Sequence, residues 1–168
     1  MPDPSPLVVA MGVSGSGKST IGRMLADTLG WEFFDADLFH TPANIAKMTG
    51  GVPLMESDRQ PWLQTLRGSI EGWERDHRNV VLACSALTVA SRHTLIPLNC
   101  RIPLVYLKGP FELIQARLAH RLHHFMPSNL LVDQFAQLEE PSDAIVINIA
   151  QAPAKILTDI KAHLHQPP

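Results

Sequence analysis

The sequence predicts an α/β fold in which a parallel sheet lies between two layers of helices. Strand-like and helix-like hydrophobic patterns alternate along the chain, an order typical of parallel sheets with helical crossovers. Two strand-like segments, residues 7–11 and 80–84, are continuously apolar, as strands buried on both faces are. The length of 168 residues suits one such domain with its own hydrophobic core.

The composition is that of an ordinary globular protein, with 45% hydrophobic and 18% charged residues. A formal net charge of −2 argues against nucleic acid or an anionic membrane as partner. Residues 1–6 carry no signal-peptide pattern, and no apolar run reaches the roughly 20 residues of a membrane span. The two cysteines, Cys84 and Cys100, do not make a disulfide framework. We expect one cytoplasmic domain over residues 1–168.

A glycine-rich loop follows the first strand and is the strongest functional signal in the chain. Residues 12–19 match G-x-x-x-x-G-K-S at every position. The glycines let successive backbone N–H groups point at phosphate oxygens, while Lys18 can reach the β- and γ-phosphates and the Ser19 hydroxyl can bind Mg²⁺. The motif predicts a P-loop NTPase fold and a nucleotide site that contains Gly12, Ser14, Gly15, Ser16, Gly17, Lys18, Ser19 and Thr20.

Turn residues and apolar spacing define the elements that follow the loop. The first helix has one apolar face and ends at Gly30, and residues 31–34 form a short second strand. Thr41 suits the N-cap of a helix that continues to residue 48, because a proline follows it in the first turn. An apolar stripe with two tryptophans, which we expect to pack in the core, then predicts a helix over 58–75.

The second half of the chain repeats the alternation. Strands are expected at 80–84, 102–107 and 144–149, and helices at 88–96, from Gly109-Pro110 through Leu118, at 130–138 and at 152–165. Residues 119–130 are rich in histidine and arginine and interrupt the helical pattern. We expect this segment to form a small helical lid that closes over the phosphates and excludes water.

Two carboxylates at the end of the second strand are the candidate metal and acceptor ligands. Open α/β sheets bind ligands at the carboxyl ends of their strands, and neither residues 80–84 nor 102–107 contain an acid. Asp35 and Asp37 point to opposite sides if the segment is extended. We expect Asp35 to face hydrated Mg²⁺, and Asp37 to position or deprotonate the accepting hydroxyl. A solvated, aspartate-rich turn is the alternative.

Basic groups should converge opposite the loop, because phosphoryl transfer is mainly positioning and charge neutralisation. The candidates are His40, Lys47, Arg59, Arg117 and Arg121. Arg117 and Arg121 lie four residues apart on one helical face, where they could grip a phosphate or stack on a base. We take Arg121 as a catalytic candidate beside Lys18 and Asp37. The chain lacks the Asn-Lys-x-Asp motif that reads guanine, and it is short for a mechanical ATPase, which favours a small-molecule kinase.

Longer motifs resemble those of the P-loop gluconokinases, which are relatives of shikimate and adenylate kinases. The most specific covers residues 35–63, D-A-D-x-x-H-x-x-x-N-I-x-K-M-x-x-G-x-P-L-x-x-x-D-R-x-P-W-L. The resemblance continues at 84–87, 106–109, 124–131 and 134–141, so that it covers roughly residues 7–141.

The resemblance implies ATP-dependent phosphorylation of D-gluconate to 6-phospho-D-gluconate in the cytoplasm. It also implies a core-plus-lid fold with a five-stranded parallel sheet, and a homodimer. Residues 12–19 would hold the phosphates and Mg²⁺, and Arg117 and Arg121 would belong to the nucleotide and lid side. The sugar-acid pocket would contain Asp37, His40, Lys47, Arg59 and His124.

The stretch after residues 84–87 departs from the family pattern. Gluconokinases usually continue with a basic pair and then Tyr-Arg-Asp, whereas residues 88–93 read T-V-A-S-R-H and keep only Arg92. Ala36 also replaces the usual glycine between the aspartates, and Leu122-His123 replace a basic residue and glycine. A kinase for a related sugar acid or a shikimate-like acceptor is therefore one alternative. A non-catalytic nucleotide-binding regulatory protein is another, although such a protein would not need acceptor-side acids.

Overall fold

Five strands and seven α-helices alternate along the residues that the structure, a computed structural model, describes: 6–121 and 128–165. The strands are β1 (Leu7–Met11), β2 (Glu32–Asp35), β3 (Val80–Ala83), β4 (Leu104–Lys108) and β5 (Ile145–Asn148). The helices are α1 (Lys18–Leu29), α2 (Pro42–Thr49), α3 (Glu56–Arg75), α4 (Val89–Leu95), α5 (Phe111–Ala119), α6 (Ser128–Gln137) and α7 (Pro153–Leu164). A 3₁₀ turn spans Ala36–Phe39.

The strands form one parallel sheet in the order β2-β3-β1-β4-β5. The central strand β1 pairs with β3 on one side and with β4 on the other, and Val9 lies opposite both Leu82 and Leu104. The chain moves outward in opposite directions from β1, which makes the end of β1 a topological switch point where α/β sheets bind ligands. This arrangement confirms the predicted fold class.

Two hydrophobic layers cover the two faces of the sheet. Leu7, Val9 and Met11 of β1 pack in the layer formed with α3 and α4. Val8 points to the opposite layer, which contains apolar side chains of α1 and α7. Because alternate residues of β1 enter different layers and all are buried, the continuous apolar run in the sequence is required by this fold.

Most helix ends lie within two residues of the predicted ones, and capping explains the differences. Gly30 ends α1 in the left-handed conformation at φ 69°, and the Thr41 hydroxyl caps α2 by accepting a hydrogen bond from the Asn44 N–H. Helix α3 begins at Glu56 rather than 58, because the Asp58 carboxylate accepts a hydrogen bond from the Met55 N–H and so stabilises an earlier first turn.

The segment expected to form a lid is described only at its two ends. Helix α5 ends at Ala119 and α6 begins at Ser128, while residues 122–127 lie outside the described residues. Over the described part of the chain, no helix combines the length and the apolar character needed to cross a membrane.

Candidate active site

The phosphate loop connects β1 to α1 by a backbone path that requires glycine. Gly15 and Gly17 have φ values of 81° and 98°, which lie in the left-handed region. A Cβ at Gly12 would lie 2.6 Å from Ser16 Oγ, and a Cβ at Gly15 would lie 2.7 Å from Leu118 Cγ. The loop is therefore packed closely against itself and against α5, and its shape depends on residues without side chains.

Lys18 is the first residue of α1, and its side chain folds back along the loop. Its Nζ donates a hydrogen bond to the Val13 carbonyl at 2.9 Å. Burial lowers the pKa of Lys18, while the nearby carboxylates of Asp37 and Asp35 oppose that shift and the Arg121 charge adds to it. The loop thus holds a poorly solvated ammonium group, whose attraction for a phosphate is screened less than it would be in water.

Asp35 connects the start of α1 to the end of β2. Its Oδ2 accepts a hydrogen bond from the Ser19 hydroxyl at 2.6 Å, and its Oδ1 accepts one from the Asp37 N–H at 3.0 Å. A serine hydroxyl beside a carboxylate is an oxygen donor set that suits Mg²⁺, which usually takes one or two protein ligands together with phosphates and water. The described residues offer no cluster of three histidine, cysteine or acidic side chains that could hold a metal ion.

Asp37 lies in the 3₁₀ turn rather than in the extended segment assumed from the sequence. The turn begins with a cap, in which the Asp35 side chain accepts a hydrogen bond from the Asp37 N–H. The two carboxylates therefore do not lie on opposite sides of an extended strand. The Asp37 side chain is 73% exposed and its Oδ1 lies 4.0 Å from Nε2 of His40. Asp37 therefore projects into open space next to the loop, while Asp35 is held against Ser19.

His40 is a buried ring between the 3₁₀ turn and α3. It stacks on Trp62 with 4.1 Å between ring centroids, and the Trp62 Nε1–H donates to the Ala36 carbonyl at 2.8 Å. The Asn44 amide lies 3.3 Å from His40 Nδ1 and donates to the Asp58 carbonyl at 2.9 Å. Burial lowers the pKa of His40 and the Asp37 carboxylate opposes that shift. A neutral imidazole consequently faces Asp37 near neutral pH.

A cavity of about 560 Å³ opens in front of the loop. Lys18 and Ser14 line it from the phosphate-loop side, and Asp37 and His40 from the β2 side. Its far wall combines the apolar residues of α2 and the following turn with polar residues of α3 and α6. These are Ile45, Met48, Val52, Arg59, Asp133, Gln134 and Gln137.

Arg59 is the cationic residue of α3 that reaches this cavity. Its Nη1 donates to the Leu54 carbonyl at 3.0 Å and to Gln137 Oε1 at 3.1 Å, and its Nη2 lies 3.4 Å from the Glu56 carboxylate. The guanidinium is held by two carbonyl-type oxygens and by an ion pair with an exposed carboxylate. Because the Glu56 partner is exposed and the pair is screened by water, an anionic ligand in the cavity can compete for this guanidinium.

Lys47, which the resemblance implies for the sugar-acid pocket, is not among the residues that line the cavity in the described part of the chain. Its Nζ donates to both carboxylate oxygens of Asp58, at 2.9 and 2.8 Å, and this contact holds the pKa of Asp58 below its usual range. Asp58 in turn caps α3. The Lys47 side chain thus lies along the junction of α2 and α3, because its ammonium group pairs with the Asp58 carboxylate there.

The two arginines of the nucleotide side have different surroundings. Arg117 Nη2 donates to the Ile149 carbonyl at 2.7 Å, which ties α5 to the loop after β5 and places Arg117 outside the cavity. Arg121 is exposed, and its charge acts on Lys18. Thr20 is exposed in the first turn of α1. His124 lies outside the described residues.

The altered stretch 88–93 forms part of the cavity wall. Thr88 and Ser91 line the cavity, and the Thr88 hydroxyl caps α4 and donates to the Ser91 hydroxyl at 2.9 Å. Buried Arg92 donates to the carbonyls of Ala86, Leu87 and Glu139. Sequence reasoning noted Arg92 only as the residue kept from the family pattern and gave it no role. The structure shows that it supports the loop at Ala86, whose φ of 44° is uncommon for a residue with a side chain.

Comparison with known proteins gives a consistent result. The family model described as shikimate kinase matches residues 14–164. A probable gluconokinase from Mus musculus is 46% identical over 81% of this chain and 83% of its own length. The thermoresistant gluconokinase of Escherichia coli K12 is 40% identical over 86% of this chain and 85% of its own.

Solved structures agree with these relatives. An unliganded sugar kinase from Janibacter sp. HTCC2649 superimposes with a TM-score of 0.88 at 40% identity, covering 95% of this chain and 94% of its own. A gluconokinase from Sinorhizobium meliloti 1021 gives a TM-score of 0.83 at 38% identity, covering 96% of this chain and 91% of its own.

Proposed function

Because the chain belongs to the shikimate kinase family and, within it, to the gluconokinases, we propose that it transfers the γ-phosphoryl group of ATP to D-gluconate. The products are ADP and 6-phospho-D-gluconate. The observation that carries the proposal is one cavity lined by both Lys18 of the phosphate loop and Asp37 of the acceptor side. A kinase needs its donor and acceptor to meet in such a place, whereas a protein that only binds nucleotide does not.

The donor side binds the nucleotide through the loop and its flanking cations. Residues 12–19 cradle the phosphates with backbone N–H groups, and Thr20 extends this site into α1. Lys18 and Arg121 neutralise the charge that spreads over the transferring group. Arg117, held at the loop after β5, belongs to the side that receives the base.

Ser19 and Asp35 are the residues that would hold Mg²⁺, directly and through water respectively. When bound, the ion neutralises phosphate charge and fixes the orientation of the phosphates. The 2.6 Å contact between the two side chains keeps Asp35 next to the hydroxyl that it serves.

The acceptor side binds gluconate by charge and hydrogen bonding. Arg59 pairs with the carboxylate of the sugar acid, and the His40 Nε2 and Asp37 carboxylate contact the hydroxyl that reacts. Asp37 takes the proton of that hydroxyl while the hydroxyl oxygen forms the new bond to the γ-phosphorus. The bond between the γ-phosphorus and the oxygen of ADP breaks in the same step. His124 completes this pocket in the proposal, from residues that the structure does not describe.

The test is ADP release from ATP·Mg²⁺ with D-gluconate, shikimate, other aldonic acids, or no acceptor. Release that depends on gluconate, with 6-phospho-D-gluconate as product, is the expected result. Release with no acceptor, or binding of ATP without release in the presence of any acid, would contradict the proposal. The latter outcome would favour a regulatory protein.

A related sugar acid is the second candidate acceptor, and the cavity wall at Thr88 and Ser91 favours it. These two short hydroxyl side chains stand where gluconokinases usually have a basic residue and tyrosine, so they leave space and remove a positive charge. The same panel of acids decides between the candidates. The cytoplasmic location and the homodimer are part of the proposal, and fractionation and sedimentation equilibrium test them.

A further inference from the structure

Helix α6 carries two glutamines, one turn apart, that bond to opposite sides of the cavity. Gln134 contacts the phosphate loop twice, because its Oε1 accepts from the Ser14 N–H at 2.7 Å and its Nε2 donates to the Ser14 hydroxyl at 3.2 Å. Residues three apart share one helical face, so Gln137 points the same way. Its Oε1 accepts from Arg59 Nη1 at 3.1 Å.

The Gln134 contact fixes the orientation of the loop rather than merely filling space. A primary amide bonded to both the main-chain N–H and the side chain of one residue leaves that residue little freedom to rotate. Ser14 precedes Gly15, which has a positive φ. Because glycine has no Cβ, its own backbone restricts the conformation of the loop very little at that point. Gln134 therefore restrains the loop where its own backbone restrains it least.

The Gln137 contact aims the guanidinium of Arg59 without cancelling its charge. The amide oxygen and the Leu54 carbonyl both accept from Nη1, while Nη2 lies 3.4 Å from the exposed Glu56 carboxylate. The two Nη1 contacts fix the plane of the guanidinium at the edge of the cavity. A carboxylate in place of the Gln137 amide would hold Arg59 as well but would oppose the charge of an anionic acceptor. The neutral side chain is the one that suits an anion site.

Helix α6 itself is firmly held, which allows it to position both partners. Leu131 is 1% exposed, Phe135 packs edge-on against Phe111 with ring centroids 5.3 Å apart, and the Glu139 N–H just after the helix donates to the Leu87 carbonyl at 2.9 Å. These contacts join α6 to α5 and to the loop after β3. Its inner face is a fixed reference for the groups on either side of the cavity.

We propose that Gln134 and Gln137 are positioning residues that place the donor loop and the acceptor-binding arginine relative to each other from one rigid helix. Gln134 acts through Ser14 on nucleotide use, and Gln137 acts through Arg59 on the binding of the acidic acceptor. The Gln137 half of the inference rests on the proposed function. The Gln134 half requires only that the loop binds ATP.

The Gln137→Met variant keeps side-chain length and helix propensity while removing the hydrogen bond. We expect the KM for gluconate to rise about 10-fold, as loss of one hydrogen bond to a charged group corresponds to, with kcat within about two-fold. In an Arg59→Lys background the effect of Gln137→Met on kcat/KM should shrink to less than about two-fold, because the two substitutions then remove one interaction. An undiminished effect in that background would refute action through Arg59.

The Gln134→Met variant should affect the use of ATP rather than the binding of gluconate. We expect kcat/KM for ATP to fall about 10-fold through loss of the paired hydrogen bonds, with the KM for gluconate unchanged within about two-fold. Gln64→Met, at an exposed position of α3, is the matched control and should leave both parameters unchanged. Unchanged kinetics in either glutamine variant would overturn the inference. So would the finding that the two variants change the parameters for ATP and for gluconate to the same extent. Both conclusions hold even if the midpoint of thermal unfolding drops.

Failure of the proposed function would appear separately, in the wild-type protein. If the wild type uses a different acid, the same comparison is made with that acid. If it uses none, the Gln137 half is refuted together with the proposed function. Calorimetric ATP affinity then decides the Gln134 half, which is refuted if Gln134→Met binds ATP as the wild type does.

Discussion

Asp35 and Asp37 are two residues apart, yet their surroundings give them different tasks. Asp35 accepts hydrogen bonds from the Ser19 hydroxyl and from a backbone N–H, so its carboxylate is fixed beside the loop. The side chain of Asp37 is mostly exposed and lines the cavity, with its Oδ1 4.0 Å from Nε2 of His40. A general base must be able to reach the proton that it removes, which favours Asp37 for that role.

The Asp37→Asn variant should lose most of its activity while keeping its nucleotide site. Removal of a general base costs on the order of 10²–10⁴-fold in kcat, and the amide preserves size and polarity. We expect ADP release with gluconate to fall in that range and the calorimetric ATP affinity to stay within about three-fold. Unchanged phosphoryl transfer would show that another group takes the proton.

His40 should make the stability of the protein depend on pH below about 6.5. Burial among Trp62 and Asn44 lowers its pKa in the folded state, with Asp37 as the opposing charge. Below the unfolded value the unfolded chain therefore binds a proton that the folded protein refuses, and the free energy of unfolding decreases as pH falls until the folded-state pKa is passed.

Urea denaturation of wild type and His40→Gln between pH 7.5 and 5 measures this dependence. The variant should show a shallower loss of stability below the unfolded pKa of about 6.5, since its side chain does not titrate. His93→Gln, at an exposed position, is the matched control and should keep the wild-type slope. Equal slopes in all three proteins would contradict a lowered pKa at His40.

At the scale of elements, residue patterns predicted the strands and helices well, because burial on both faces and capping leave direct traces in the sequence. The phosphate loop, the switch point and the cap at Thr41 are examples. The 3₁₀ turn at Ala36–Phe39 was covered only by the alternative of an aspartate-rich turn, since the cap from Asp35 that selects it is visible only in three dimensions. The resemblance implied Lys47 in the pocket, and the sequence alone does not show that this lysine pairs with Asp58.

Arg92 connects three elements and should be important for stability. Its guanidinium donates to the Ala86 and Leu87 carbonyls after β3 and to the Glu139 carbonyl after α6. Arg92→Met would remove all three hydrogen bonds and leave the buried Ala86 carbonyl without this donor, whereas the Leu87 carbonyl keeps the Glu139 N–H. We expect this to lower the free energy of unfolding by about 3 kcal/mol. Urea denaturation measures it, with the exposed Arg101→Met as control, expected to change stability by less than about 0.5 kcal/mol. A change no larger than that of the control would mean that these carbonyls find other partners.

At the scale of the whole molecule, the site lies where the order of the strands reverses. β1 supplies the phosphate loop, and β2 and β3 at one side supply Asp35, Asp37 and the wall around Ser85. Donor and acceptor groups thus come from β1 and β2, which end at the same edge of the sheet with β3 between them, and the packing of the sheet fixes their separation. Ligands that bridge these strands should stabilise the folded protein as a unit.

Ligand-induced stabilisation therefore tests the metal site without relying on turnover. A ligand at 100 times its Kd raises the free energy of unfolding by about 2.7 kcal/mol, so a fixed ATP concentration should raise the melting temperature more with Mg²⁺ than with EDTA. In Asp35→Asn the increment due to Mg²⁺ should shrink, because the Ser19 hydroxyl loses its carboxylate partner while the loop and Lys18 are kept. The increment that ATP gives in EDTA should persist. If both increments disappeared together, Asp35 would be supporting the loop as a whole; if neither changed, Ser19 would serve the ion without help from Asp35.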